Sequence, residues 1–151
     1  MPDSIREKIL ANLKAALEGI TAANGYNYTV NRVDRIRSNP INHPVYPSIN
    51  IWEQGMESEI DPKGFNTKKL DLVLELWTIA GGEDLSQVIN KHLADVEKAV
   101  VTDTTRGGNA IDTWYTGDEV LLTNGDQLMI GAYCFITVKY RTNFFDPESI
   151  D

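Results

Sequence analysis

Residues 127–142 read QLMIGAYCFITVKYRT, and the side chains at every second place from Leu128 are apolar or small: Ile130, Ala132, Cys134, Ile136, Val138 and Tyr140 follow. Period two is the pattern of a β-strand with one buried face, because successive side chains leave a pleated chain on opposite sides. Drawn straight, the run spans about 53 Å. A compact chain of this length has a diameter on the order of 38 Å, so the strand must bend or project. A second run, Lys68 to Ala80, is nearly as long. It places Leu70, Leu72, Leu74 and Leu76 on one face, with Val73, Trp77 and Ile79 among Asp71 and Glu75 on the other. Two such strands in a small chain suggest pairing between subunits. The alternative is a sheet that curls at Gly131, where no side chain resists a bend or bulge.

Before these strands, Ser4 and Glu7 stand three apart as in a capping box, and Ile5, Ile9, Leu13, Ala16, Leu17 and Ile20 follow at helical spacing until Asn24-Gly25. Tyr26 to Arg37 predicts a strand through Tyr28 and Val30, with a phase shift before Val33 that suggests a bulge or an exposed end. Asn39-Pro40, Pro44 and Pro47 mark a loop. Ser48 to Glu53 predicts a short strand with Ile49 and Ile51 on one face, and Gln54 to Phe65, carrying Gly55, Pro62 and Gly64, an exposed hairpin tip. After Gly81-Gly82, Asp84 with Gln87 caps a second helix whose stripe is Leu85, Val88, Ile89, His92, Leu93, Val96 and Val100. A polar loop, Thr102 to Asn109, leads to strands at about 110–116 and 119–123, and Asn124-Gly125 is a hairpin turn signal.

The order helix, three strands, helix, three strands predicts an α+β fold. It is a two-layer α/β sandwich, with a mainly antiparallel sheet and two helices packed on one face. The length fits one domain over residues 1–151, with a short flexible tail from about 146. On the other face of the last strand stand Met129, Tyr133, Phe135, Thr137 and Lys139. That set is too apolar for a solvated surface and too polar for a second core, so a protein partner is expected there.

Lys and Arg number 14 against 22 Asp and Glu, for a net charge of -8. This argues against a nucleic-acid binder, whose affinity comes chiefly from neutralising phosphates. It suits a surface that DNA slides past. No run approaches a membrane span and the N-terminus lacks the apolar core of a signal peptide, so a soluble protein is expected. Cys134 is the single cysteine. His43 and His92 have no metal-ligand spacing, and no nucleophile elbow, H-E-x-x-H or C-x-x-C is present. Glu53, Glu57, Glu59 and Asp61 lack the pattern of a calcium loop and read as a solvated acidic stretch. Gly81-Gly82 is followed at once by Glu83 and Asp84, which would repel an anion. Arg106-Gly107-Gly108 precedes a strand rather than a helix, as a tight turn does, with a subunit or ligand contact as the alternative. Trp52, Trp77 and Trp114 lie on expected strands and suit core or interface packing. No enzyme activity, metal or cofactor is expected.

Taken together, the first helix, the strand from Lys68, the helix from Asp84, the Arg106-Gly107-Gly108 loop before a strand, and the closing Val138-Lys139-Tyr140-Arg141-Thr142 with Asp146-Pro147 resemble the tail terminator family of long-tailed bacteriophages. The resemblance spans most of the chain. It implies a non-enzymatic virion protein forming a homo-oligomeric, six-membered ring that caps the tail tube and ends its polymerisation. Its partners would be the tail tube protein and a head-tail connector or neck protein, with assembly in the host cytoplasm and residence at the head-tail junction. DNA would pass without specific binding. On this reading Arg106, Gly107, Gly108, Tyr140 and Arg141 are candidates for a subunit or tube interface, and Glu57, Glu59 and Asp61 for acids facing the lumen. A neck or head-completion protein, or a tail-tube-like subunit, is the alternative of the same class. A small binding module or enzyme subunit is the alternative of another class.

Overall fold

The computed structural model describes residues 2–37, 45–79, 81–123 and 129–150. Helix α1 is Ile5–Glu18; at its start Ser4 Oγ accepts from the Glu7 N–H at 3.1 Å, which satisfies one of the unpaired donors of the first turn. A short 3-10 helix, Ala22–Asn24, follows and ends at Gly25, whose φ of 89° suits a residue without a side chain. Strands β1 (Arg32–Arg35), β2 (Ser48–Asp61) and β3 (Phe65–Ile79) precede helix α2 (Leu85–Thr102), and β4 (Asp112–Thr123) and β5 (Met129–Asn143) follow it. Asp84 caps α2 by accepting the N–H groups of Ser86 and Gln87.

The five strands form one sheet in the order β1-β2-β3-β5-β4. Only the β1-β2 pair is parallel; the others are antiparallel. Both helices lie on the same face, and the expected α+β class is the one found. The core joins Ile9, Leu13 and Leu17 of α1, Ile89, Val96 and Val100 of α2, and one face of the sheet: Ile49, Ile51, Leu70, Leu72, Leu74, Leu76, Ala132, Cys134, Ile136 and Val138.

Several strand expectations need correction, and bulges explain most of them. Ser48 to Glu53 and the supposed hairpin tip after it are one strand, paired with β3 as far as Asp61 opposite Phe65. A register shift between Glu53 and Gly55 moves the period-two pattern by one place. The regions before and after it therefore do not look continuous in sequence. The true turn is short: Asp61 Oδ1 accepts the Lys63 N–H at 2.8 Å and Gly64 has a φ of 92°. In the same way the two strands expected at 110–116 and 119–123 are one, β4, interrupted by a register shift between Tyr115 and Gly117. Of Tyr26 to Arg37, only Arg32–Arg35 is strand. Earlier in that stretch the Asn27 and Tyr28 N–H groups bond the Asp95 carboxylate of α2, and the Val30 N–H bonds the Ile20 carbonyl.

Gly131 is not a bulge. Its register runs unbroken against Trp77 and Leu121, and the indole of Trp77 lies across it. The register shifts lie on β2, between Glu53 and Gly55, and on β4, between Tyr115 and Gly117. The segment expected as a tail from about 146 folds back, with the Ile5 N–H bonded to the Pro147 carbonyl, the Asn143 N–H to the Ser149 carbonyl, and Ile150 packed on the core. The Asn124-Gly125 turn, Leu128, Ala80, His43 and the Asn39 to Pro44 loop lie outside the described residues.

Candidate functional site

The sheet face turned away from both helices has no layer packed over it among the described residues. Strand registers arrange it in cross-strand rows: Trp52, Val73, Phe135 and Gly117; then Glu75, Tyr133 and Glu119; then Trp77, Gly131 and Leu121. Val73 is buried, while the Trp52, Trp77, Tyr133 and Phe135 side chains are half-buried with no helix above them. Glu75 stands among them. Its Oε1 accepts from Trp52 Nε1–H at 3.2 Å and its Oε2 from Trp77 Nε1–H at 3.1 Å. Toward the β2-β3 turn the same face becomes charged, with Glu57, Lys69, Lys139 and Asp112 forming one row across four strands.

Three candidate residues are brought together at this charged end. Glu57 and Glu59 are exposed on β2, and Arg141 is exposed on β5, its guanidinium carbon 5.2 Å from the centre of the Phe65 ring. Thr67 stands between Glu59 and Arg141 in the register. Asp61 lies at the end of β2, where it also holds the turn. Beyond them Ile60, Phe65, Phe144 and Phe145 line an open apolar cavity of about 640 Å3. Phe145 is 91% exposed.

Arg106 and Tyr140 lie inside the subunit. Tyr140 is buried on the core face, and burial raises its hydroxyl pKa. Arg106 is fully buried at a φ of 49°, and its Nη2 donates to the carbonyls of Val100 and Asp103 at the end of α2. A cation there complements the negative end of the helix. Its removal from water pushes the guanidinium pKa down. Asp103 organises the same loop by accepting from the Thr105 hydroxyl at 2.8 Å and the Gly107 N–H at 2.7 Å, and the Thr105 bond is the main reason its pKa is lowered. Gly107 and Gly108 remain on the surface.

His92 and Cys134 are held by packing. His92 is buried and stacked on Tyr28 with ring centres 4.0 Å apart, and burial lowers its pKa to about 4. Burial pushes the Cys134 thiol up to about 11. Among the described residues no group of His, Cys, Asp and Glu is placed to hold a metal ion. Among them, too, no helix is long and apolar enough to cross a membrane. The Trp52-Glu75-Trp77 arrangement was missed in the sequence because it depends on the register of β2 against β3, which sets Trp52 opposite Val73 and so next to the Glu75 row, and neither strand's own pattern carries that register.

With this geometry in view, comparison identifies a relative in shape. No protein-family model matches the chain, and no curated protein does. A solved chain does match, from a structure described as the virion of a native gene transfer agent particle. This chain shares its fold. The alignment covers 91% of this chain and 92% of the other, with a TM-score of 0.52 and 14% identity.

Proposed function

We propose that the protein is a structural subunit of a phage-like virion, and more specifically the tail terminator: a ring that caps the tail tube, stops its polymerisation and offers a surface for head-tail joining. The observation that carries this reading is the end-to-end likeness to a chain of a gene transfer agent virion, 91% of one chain on 92% of the other. The surface supports it. Strand β4 is an edge, and beyond Ile51 the described residues provide no neighbour for β2 on its β1 side. Open edges on opposite sides of one sheet allow head-to-tail contacts, which close into a ring when the rotation permits. On β4 itself Val120 and Leu122 are 50% and 60% exposed, an apolar edge that contact with a neighbouring copy would cover.

In this role the protein performs no catalysis. Copies of the chain contact one another, the tube protein and a connector or neck protein, and DNA crosses an acidic lumen without being held. Two measurements test the proposal. The mass of the purified protein in solution should be that of a closed ring, six copies by the family resemblance. Particles assembled without the protein should carry tails of uncontrolled length or tails not joined to heads. Normal tails in its complete absence would remove the terminator role, while an antibody label along the whole tail would favour a tube-like subunit.

A further inference from the structure

On the helix-free face a cavity of about 300 Å3 is lined by Trp52, Gln54, Val73, Glu75, Tyr133 and Phe135. The bonds from the two indoles hold the Glu75 carboxylate in one orientation between β2 and β3. Neutral donors orient an anion without cancelling its charge. No ion pair to Glu75 occurs among the described residues. Two more acids share this face, Glu119 beside Tyr133 and Asp71 two rows from Glu75, whereas the cations Lys69, Lys139 and Arg141 lie further toward the β2-β3 turn. A fixed, half-buried carboxylate walled by aromatic rings is matched by a flat cation.

We propose that this cavity receives an arginine side chain presented by a partner protein. The guanidinium is planar, so it can lie against the Trp52, Tyr133 or Phe135 ring while directing N–H groups at Glu75. Each Glu75 oxygen keeps a lone pair after accepting one indole N–H. A lysine ammonium would answer the charge without stacking, and a neutral side chain would cover the carboxylate without compensating its lost hydration. The cavity is complete within one chain, so this recognition stands independently of ring formation.

The test uses fluorotryptophan-labelled protein, followed by fluorine NMR during titration with N-acetyl-arginine amide and, separately, with its neutral isostere N-acetyl-citrulline amide. The arginine compound should shift the Trp52 and Trp77 signals saturably and leave Trp114 nearly unmoved. Binding of the citrulline compound should be at least about tenfold weaker. Glu75→Gln, which keeps the volume and one of the two indole acceptors, should reduce arginine binding to the citrulline level, with thermal unfolding still cooperative at a slightly lowered midpoint because one indole N–H loses its acceptor. Should that variant not fold, the comparison of the two compounds on the unmodified protein decides. Equal binding of both, no saturable shift, or arginine binding undiminished in a folded Glu75→Gln protein would overturn the inference.

Discussion

At Gly131 the absence of a side chain is itself a packing element. A Cβ there would lie 2.4 Å from the Leu76 carbonyl oxygen and 2.6 Å from Cε3 of Trp77, so either the strand or the indole must move. Gly131→Ala should cost about 1–3 kcal/mol in urea unfolding and displace the Trp77 indole from Glu75, seen as a shift in its NMR signal. An unshifted signal with unchanged stability would show that the indole is not seated as described. His92 gives a second prediction at this scale. Unfolded, it takes up a proton near pH 6.5; folded and stacked on Tyr28, with burial outweighing the opposing pull of Asp95, it resists protonation until about pH 4. The folded state thus has its full stability above about pH 6.5 and loses it as the pH falls, by an amount approaching about 3 kcal/mol near pH 4. Urea unfolding at pH 7, 6 and 5 should show this decline, and His92→Phe, which keeps a ring on Tyr28, should flatten it.

Among the elements, the helices are the most legible, because a stripe at helical spacing stays in phase along α1 and α2 and each starts at a recognisable cap, although α1 stops at Glu18 with Gly19 as its cap and does not run on to Asn24-Gly25. Leu13, fully buried in that stripe, should lose about 3 kcal/mol on replacement by Ala, measured by chemical unfolding. Strands β3 and β5 were nearly as clear. Strands β2 and β4 were broken or cut short in the sequence reading because each contains a bulge, and a one-residue slip exchanges the inward and outward sets. The distal half of β2 is also exposed on both sides, with Met56, Glu57, Ser58, Glu59 and Ile60 all open to solvent, so no buried face marks it as strand. Arg106 was obscure for another reason: nothing in Arg-Gly-Gly announces that its guanidinium turns inward to the carbonyls ending α2. The exposure of distal β2 also bears on its acids. Replacing Glu57, Glu59 and Asp61 together by Lys should leave a cooperative fold, with a loss of about 1 kcal/mol from the cross-strand Lys69 neighbour and the lost Asp61 turn bond. If the stretch lines the lumen, the variant particle should retain DNA in a salt-sensitive way during ejection. Collapse of the fold would show that these acids support structure.

For the whole molecule, shape and assembly have to be argued together, since a sheet with one face covered by helices and two open edges is only half enclosed. The proposed function is legible in the sequence only as a resemblance, because an interface between copies would leave no fixed motif of the kind that metal ligands or nucleophiles leave. Arg141 is the candidate that the fold leaves available for such a contact. It is exposed on the helix-free face, near the turn of the longest hairpin, with its guanidinium steadied over Phe65. Its forked donors suit a carboxylate on a neighbouring copy, and the chain offers exposed acids at Glu57 and Glu59 on the opposite side of the β3 strand. Arg141→Ala removes those donors without opening a core cavity, so the urea transition should stay cooperative and move by less than about 1 kcal/mol. The assembly should respond differently: at a concentration where the unmodified protein sediments as a ring, the variant should shift toward smaller species, and more so at low salt where the lost ion pair counts most. Arg141→Lys, which keeps the charge and loses the fork, should fall between the two. Rings of unchanged stability from Arg141→Ala would take this residue out of the subunit contact while leaving the terminator reading to the tail-length experiment.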